Sequence, residues 1–161
     1  MNDQKRAEML DRMRADVEDL GALLGTVPAD RLHSQPGAGE WSPAMIFSHL
    51  ADSELTWGFR LRLILTRERP PLTAYDQDAV AARVGPVDSD PQRAFQRWRL
   101  LRENNVSILE SLSEDDWQRV GLHEERGEVS AADVAEVLVD HVPGHGEQIR
   151  RAIQTGGGGA P

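Results

Sequence analysis

Apolar side chains recur at intervals of three and four residues in four long segments of the chain. The first segment spans about residues 3–24, and the second spans residues 42–67. The third covers residues 90–112, and the last begins at Ser130 and continues to Ile149. Because this spacing places apolar side chains on one face of an α-helix, the pattern predicts four amphipathic helices.

Residues that favour helix ends support these boundaries. Ser42-Pro43 precedes the second segment, where a serine oxygen can accept hydrogen bonds from free amides and proline suits the first helical position. Ser130 is followed three residues later by Asp133, which resembles a capping box. A similar cap at Ser113 predicts a short helical turn that contains Trp117.

The connection between the second and third helices, residues 72–90, is too long for a tight turn. It contains a short helical pattern at about residues 76–82 and the single tyrosine, Tyr75. Long connections in compact domains are often functional lids, so Tyr75 is either a cover for a site or a packing residue. A second connection, residues 121–127, has the composition of a polar loop, and no segment gives a convincing strand pattern.

Four long helices without strands predict an all-α protein, a four-helix bundle with a long connection between its second and third helices. The chain has 161 residues, which suits one domain with a substantial core. We assign residues 1–154 to this bundle. Residues 155–161 are rich in glycine and predict a flexible C-terminal tail.

Composition narrows the possible partners. The net charge is −9, from 18 basic and 27 acidic residues. This balance argues against a nucleic-acid surface, which depends on lysine and arginine. The chain shows no apolar run long enough to span a membrane and no apolar signal sequence at its start, so we expect a cytoplasmic protein.

The chain contains no cysteine and five histidines. A transition-metal site here must therefore use histidine, aspartate or glutamate. His141 and His145 are four residues apart, which brings two side chains of a helix together, and His49 lies on the apolar stripe of the second helix. His33 and His123 fall in loops and are expected to have solvated or structural roles.

We interpret His49, His141 and His145 as ligands of one metal ion. Three protein ligands leave a coordination position for water or substrate, which is typical of catalytic sites. The alternative is that these histidines are hydrogen-bonded core residues. Pro143-Gly144 lies between two of them, and proline disrupts helices, so we expect a kink that still lets both rings reach one ion. Three carboxylates, Asp52, Glu54 and Asp140, are candidates to orient a ligand histidine, and the alternative for each of them is solvation on a helix surface.

Three motifs in order resemble the DinB-like superfamily of metal-binding proteins. They are the stretch at residues 40–54 that contains His49, the segment at residues 71–76, and His141-x-x-x-His145-x-x-Gln148. The resemblance covers about residues 5–153. It implies a four-helix bundle, often a homodimer, with a three-histidine site for a divalent metal such as nickel, zinc or iron at His49, His141 and His145.

Members of this superfamily include thiol-dependent S-transferases and a mycothiol-dependent isomerase. The resemblance therefore implies a metal-dependent enzyme, a thiol-dependent S-transferase or a hydrolase, with a small-molecule substrate and a low-molecular-weight thiol as a candidate cofactor. Two alternatives stay open at this point. One is a protein that binds a metal or small ligand without turnover, and the other is a structural, stress-associated dimer.

Overall fold

A computed structural model describes residues 2–84 and 90–155. It contains four long helices: α1 (Asp3–Thr26), α2 (Pro43–Thr66), α4 (Pro91–Glu110) and α6 (Ala131–Thr155). Two short helices, α3 (Gln77–Arg83) and α5 (Glu114–Gln118), lie in the connections. The predicted four-helix bundle is confirmed, and each long helix ends within a few residues of its predicted bounds. The tail at residues 156–161 lies outside the described residues.

The capping residues act as their chemistry predicts. Ser42 accepts a hydrogen bond from the amide of Met45 at 3.3 Å, and Pro43 occupies the first turn of α2. Ser130 and Asp133 cap α6 reciprocally, since the Ser130 amide donates to the carboxylate at 2.7 Å and its hydroxyl accepts from the Asp133 amide at 3.1 Å. Such pairs satisfy amides that have no partner inside the helix.

The helices form a ring in which consecutive elements are not always neighbours. Helix α2 packs against α4 and α6, and α1 packs against the same two helices. Helices α1 and α2 therefore occupy opposite corners of the bundle. This arrangement places α2 and α6, which carry the three candidate histidines, side by side.

The expectation that the chain has no strands is wrong. Strands β1 (Pro71–Leu72), β2 (Val120–His123) and β3 (Gly127–Ser130) form a small sheet in which β1 is parallel to β2 and β2 is antiparallel to β3. The predicted polar loop at residues 121–127 is thus mostly a hairpin. Gly121 is required there, because a Cβ atom at this position would lie 2.8 Å from a side-chain carbon of Leu72.

Two apolar clusters fill the bundle, and a polar layer separates them. One cluster includes Met13 and Leu61, and the other includes Leu20 and Phe47. The polar layer between them consists of four buried side chains, Asp16, Glu54, Arg102 and Asn105. Arg102 lies 2.9 Å from Glu54 and 3.6 Å from Asp16 and also donates to the carbonyl of Leu138 at 3.0 Å, so one guanidinium links all four long helices.

Candidate metal centre

The structure brings together the three histidines that the sequence singled out. His49 comes from α2, and its side chain is buried, with 4% of the residue exposed. Its Nε2 atom lies 2.9 Å from Nε2 of His141 on α6. The Nε2 atoms of His141 and His145 are 2.6 Å apart, so all three rings direct the same atom toward one point.

Helix α6 continues without a break through Pro143. This continuity keeps His141 and His145 one turn apart on the same face, with ring centroids 4.5 Å apart. A full break at Pro143, which would have separated the two rings, does not occur. The kink that we expected at this proline stays a prediction.

The outer nitrogens of two of the rings have hydrogen-bond partners. Nδ1 of His141 lies 2.9 Å from the hydroxyl of Ser53, and Nδ1 of His145 lies 2.6 Å from Oε1 of Gln148. An amide oxygen can only accept, so Nδ1 of His145 carries the proton and its Nε2 keeps a free lone pair. Groups that hold a ligand imidazole by its outer nitrogen set both its tautomer and its orientation.

The carboxylates that we considered for this role contact other groups. Glu54 accepts hydrogen bonds from Arg102 at 3.0 Å and from Asn105 at 2.9 Å, so it belongs to the polar layer. Asp52 pairs with Arg97 at 3.1 Å, and Asp140 lies on the wall of a cavity. Neither of the actual partners, Ser53 and Gln148, was expected from the sequence in this role, although Gln148 belongs to the motif that contains His141 and His145.

The surroundings keep the three histidines neutral, as metal ligands must be. Burial, together with the charges of His145 and His141, lowers the pKa of His49 to about 3. Burial likewise lowers the pKa of His141 to about 4, with contributions from His145 and Arg102. Burial also lowers the pKa of His145, although the hydrogen bond to Gln148 acts in the opposite direction.

The donor set fits one divalent cation. Imidazole nitrogens bind zinc at about 2.0–2.1 Å, so two nitrogens on one ion lie no more than about 4 Å apart. The distances of 2.6 and 2.9 Å, which both involve His141, satisfy this limit, and the three candidate ligand atoms all lie within 4.8 Å of one another. If Nε2 of His141 carries a proton, that proton can form a good hydrogen bond with Nε2 of His49 or of His145, but not with both. One cation can bind the Nε2 lone pairs of all three rings.

Two cavities meet at the three histidines. A cavity of about 960 Å³, here called the large cavity, is lined by His49 and His141, and a second one of about 390 Å³ is lined by His145. Gln77 at the start of α3 borders both. Tyr75 lies on the wall of the large cavity, and burial raises the pKa of its hydroxyl to about 12, so this group stays protonated.

The two remaining histidines differ from each other. His33 is exposed in a loop, as expected. His123 is buried on β2, stacks on Trp57 with 5.9 Å between ring centroids, and lines the large cavity. Its structural role was one of the two expected, but its place beside the cavity was not visible in the sequence because the pairing of β2 with β1 is non-local.

Four long helices that enclose three converging imidazoles define a helical-bundle protein with an inter-helix histidine centre. A model of the DinB superfamily matches residues 9–149, and the chain belongs to this superfamily. Within the described ranges, none of the helices has the length and apolar character that crossing a membrane requires.

Named relatives agree with this assignment. A protein of Oceanobacillus iheyensis is 27% identical over 152 residues, which make up 94% of this chain and 87% of the relative. A second protein of that organism is 30% identical over 119 residues, or 71% of this chain and 69% of the relative. Both carry the name "Putative metal-dependent hydrolase".

Solved structures share the fold. YfiT from Bacillus subtilis, described as "a probable metal-dependent hydrolase with an unusual four-helix bundle topology", matches with a TM-score of 0.88 and 19% identity over 98% of this chain and 90% of that chain. A mycothiol-dependent maleylpyruvate isomerase matches with a TM-score of 0.73 and 16% identity. That match covers 89% of this chain and 60% of the isomerase.

Proposed function

We propose that the protein is a divalent-metal-dependent enzyme whose ligands are His49, His141 and His145. The observation that carries this proposal is the convergence of three neutral, largely buried imidazoles at the junction of two cavities. The names of the relatives, which refer to metal-dependent hydrolysis, support it. An ion held by three side chains keeps a position open for water or substrate and acts as a Lewis acid there.

The chain's own residues then have separable tasks. Ser53 and Gln148 hold the outer nitrogens of His141 and His145 and keep each Nε2 lone pair directed inward. The apolar packing around His49, including the Trp41 ring at 4.8 Å between centroids, limits access of bulk water. Tyr75 presents a protonated hydroxyl to the large cavity, where it can donate a hydrogen bond to a substrate oxygen.

Metal content tests the proposed ligands. The purified protein is expected to retain about one equivalent of a divalent ion, and elemental analysis identifies it as zinc, nickel, iron or another metal. His145→Ala should lower the metal content strongly. His33→Ala is the matched control, because His33 is exposed in a loop and does not belong to the cluster of three histidines. Equal metal content in both variants would contradict the assignment.

A thiol-dependent transferase is the second candidate within the same proposal. Two cavities border the histidine centre from different sides, which gives a thiol and an acceptor molecule separate approaches. A hydrolase needs only one organic substrate and water. The structural match to a thiol-dependent isomerase concerns the fold alone.

The two reactions are separated by supplying or omitting a thiol. Metal-loaded protein is assayed with esters, amides and phosphate esters, and separately with electrophiles plus low-molecular-weight thiols. Turnover without a thiol supports hydrolysis, and turnover that requires one supports group transfer. Metal binding without turnover in any assay would favour the non-catalytic binding protein instead.

The homodimer, the cytoplasmic location and the stress-associated role stay predictions. Light scattering after size-exclusion chromatography tests the first of them. A mass of twice 17.9 kDa is expected for the dimer.

A further inference from the structure

A second group of charged and aromatic side chains lies in the large cavity, away from the three histidines. Trp57 is at its centre. The guanidinium of Arg60 lies 4.3 Å from the centroid of the Trp57 ring, and that of Arg126 lies 5.3 Å from it. His123 stacks on the same indole with an interplanar angle of 15°. All four residues line the cavity.

Among the described residues, neither of these arginines forms an ion pair, which is unusual for Arg60 because its side chain is buried. Across residues 2–84 and 90–155, neither Arg60 nor Arg126 has an acidic oxygen within ion-pair distance. Arg60 is only 5% exposed, and its one hydrogen bond runs from Nη2 to the carbonyl of Thr73 at 2.5 Å. By contrast, the equally buried Arg102 contacts two carboxylates.

Buried charges are normally paired, since an unpaired one loses its hydration without compensation. The chain has 27 acidic residues, yet none of the described ones forms an ion pair with Arg60. Burial and the neighbouring charge of Arg126 lower the pKa of Arg60, although the charges of Glu125 and Glu124 act in the opposite direction without forming an ion pair. Arg60 therefore keeps two guanidinium donors, Nε and Nη1, without a protein partner among the described residues on the wall of the large cavity, which is the arrangement expected of a group that binds an anion.

We propose that Arg60 and Arg126, on the surface of Trp57, form a subsite for a carboxylate group of the substrate. A guanidinium binds a carboxylate through two parallel hydrogen bonds, and the indole supplies an apolar wall beside it. The link between this subsite and catalysis rests on the proposed metal-dependent function. The binding of a carboxylate by the two arginines does not depend on it.

The charge of the remaining cavity wall favours a carboxylate over a phosphate. Five acidic side chains also line the large cavity: Glu125, Glu128, Asp133, Glu136 and Asp140. Three of these are engaged with partners, namely Glu128 with Arg69, Glu136 with Lys5 and Asp133 with Ser130. Because the wall is negative overall, a group with a single charge is repelled less than a phosphate dianion.

The spacing along α2 sets the length of the substrate. His49, Ser53, Trp57 and Arg60 lie at intervals of four, four and three residues, so they follow one face of the helix along the cavity. The Arg60 guanidinium lies over Trp57, eight residues after His49, and eight residues of α-helix correspond to a rise of about 12 Å between Cα atoms. The substrate that fits is an elongated organic acid whose carboxylate lies well away from the reacting group.

Binding of small probes tests the subsite directly. The full-length, zinc-loaded protein is titrated with butyrate, with butyramide as the neutral isostere, and with inorganic phosphate at matched ionic strength. The indole N–H signal of Trp57 in two-dimensional NMR spectra reports on binding. We expect a saturable shift with butyrate in the millimolar range, none with butyramide and a weaker response to phosphate.

Variants assign the binding to the arginines. Arg60→Met is expected to weaken butyrate binding at least tenfold, and Arg60→Lys should weaken it less, because the charge remains. Arg126→Met provides an independent test. Because Arg126 is exposed, its substitution should leave the stability of the fold unchanged. Arg99→Met is the control. Arg99 lies on α4 and pairs with Glu103 at 3.7 Å, so its substitution removes one positive charge outside the proposed subsite.

His145→Ala distinguishes this subsite from the proposed metal centre. Butyrate binding that survives in this variant supports the subsite, whatever the fate of the metal proposal. Loss of butyrate binding in His145→Ala, equal weakening by Arg99→Met, equal binding of butyramide, or tighter binding of phosphate would each overturn the carboxylate assignment. The NMR spectrum of each variant also shows whether its fold is intact.

Discussion

Replacement of Ser53 by alanine tests how the candidate metal centre is organised. Ser53 is buried, with 5% exposure, and its hydroxyl lies 2.9 Å from Nδ1 of His141. Alanine removes this oxygen and leaves the outer nitrogen of His141 without its partner. The ring can then rotate or adopt the other tautomer, which places a proton on Nε2, the atom that faces the other two rings.

The magnitude follows from the type of contact. Loss of an outer hydrogen bond to a ligand histidine typically weakens metal binding 10- to 100-fold, or about 1.4–2.7 kcal/mol at 25 °C. A hydroxyl is neutral, and neutral hydrogen bonds contribute about 1 kcal/mol net. We therefore expect Ser53→Ala to lie at the lower end of the range, near tenfold.

Competition for zinc with a chelator of known affinity measures this change. Ser48→Ala is the matched control, because Ser48 is a buried serine on the same helix, directly before His49. A change of less than threefold for Ser53→Ala, or an equal change for Ser48→Ala, would refute the view that Ser53 orients His141.

Three further predictions concern stability. Metal at 100 times its dissociation constant should stabilise the native state by about 2.7 kcal/mol, so a chelator should lower the Tm measured by calorimetry by roughly 5–10 °C. An unchanged Tm would contradict a native-state metal. Arg102→Met leaves Glu54 and Asp16 buried without their shared cation and should cost about 3–5 kcal/mol in urea unfolding. Adding D16N and E54Q should recover most of that loss, and no recovery would refute the ion-pair explanation. In metal-free protein, His49 binds a proton in the unfolded chain below about pH 6.5 but in the native state only near pH 3. His49 alone should therefore lower stability by about 1.4 kcal/mol per pH unit as the pH drops below 6.5. The lowered pKa values of His141 and His145 add to this slope, and His49→Phe should remove the contribution of His49.

Local patterns determined most of what the sequence revealed. The apolar period of each long helix depends only on residues three and four apart, and the caps at Ser42 and Ser130 act within one turn. The pairing of His141 with His145 has the same local origin. His49 could be added because it lies on an apolar stripe, which must face the core wherever the helix packs.

The sequence did not reveal which side chains form hydrogen bonds with the candidate histidines. Glu54 follows His49 closely on α2 and is a candidate from the sequence to orient a ligand histidine or to be solvated on the helix surface. Its side chain instead points into the polar layer and accepts a hydrogen bond from Arg102. Ser53, the residue beside it in sequence, faces His141. A difference of one position on a helix turns a side chain by about 100°, so which neighbour reaches the site depends on how α2 is rotated against α6.

The sequence by itself therefore determined four helices, their caps and the histidines of the candidate site, because these features arise from periodicity and contacts along one helix. Only the tertiary structure decided the small sheet, the buried position of His123 and the meeting of Arg60, Arg126 and Trp57 in the large cavity. Strands of two to four residues are too short to carry an alternating pattern. Although β2 and β3 form a local hairpin, β1 is a strand because it pairs with β2, which is distant in sequence. Such contacts depend on the packing of the whole bundle, and no local pattern encodes them.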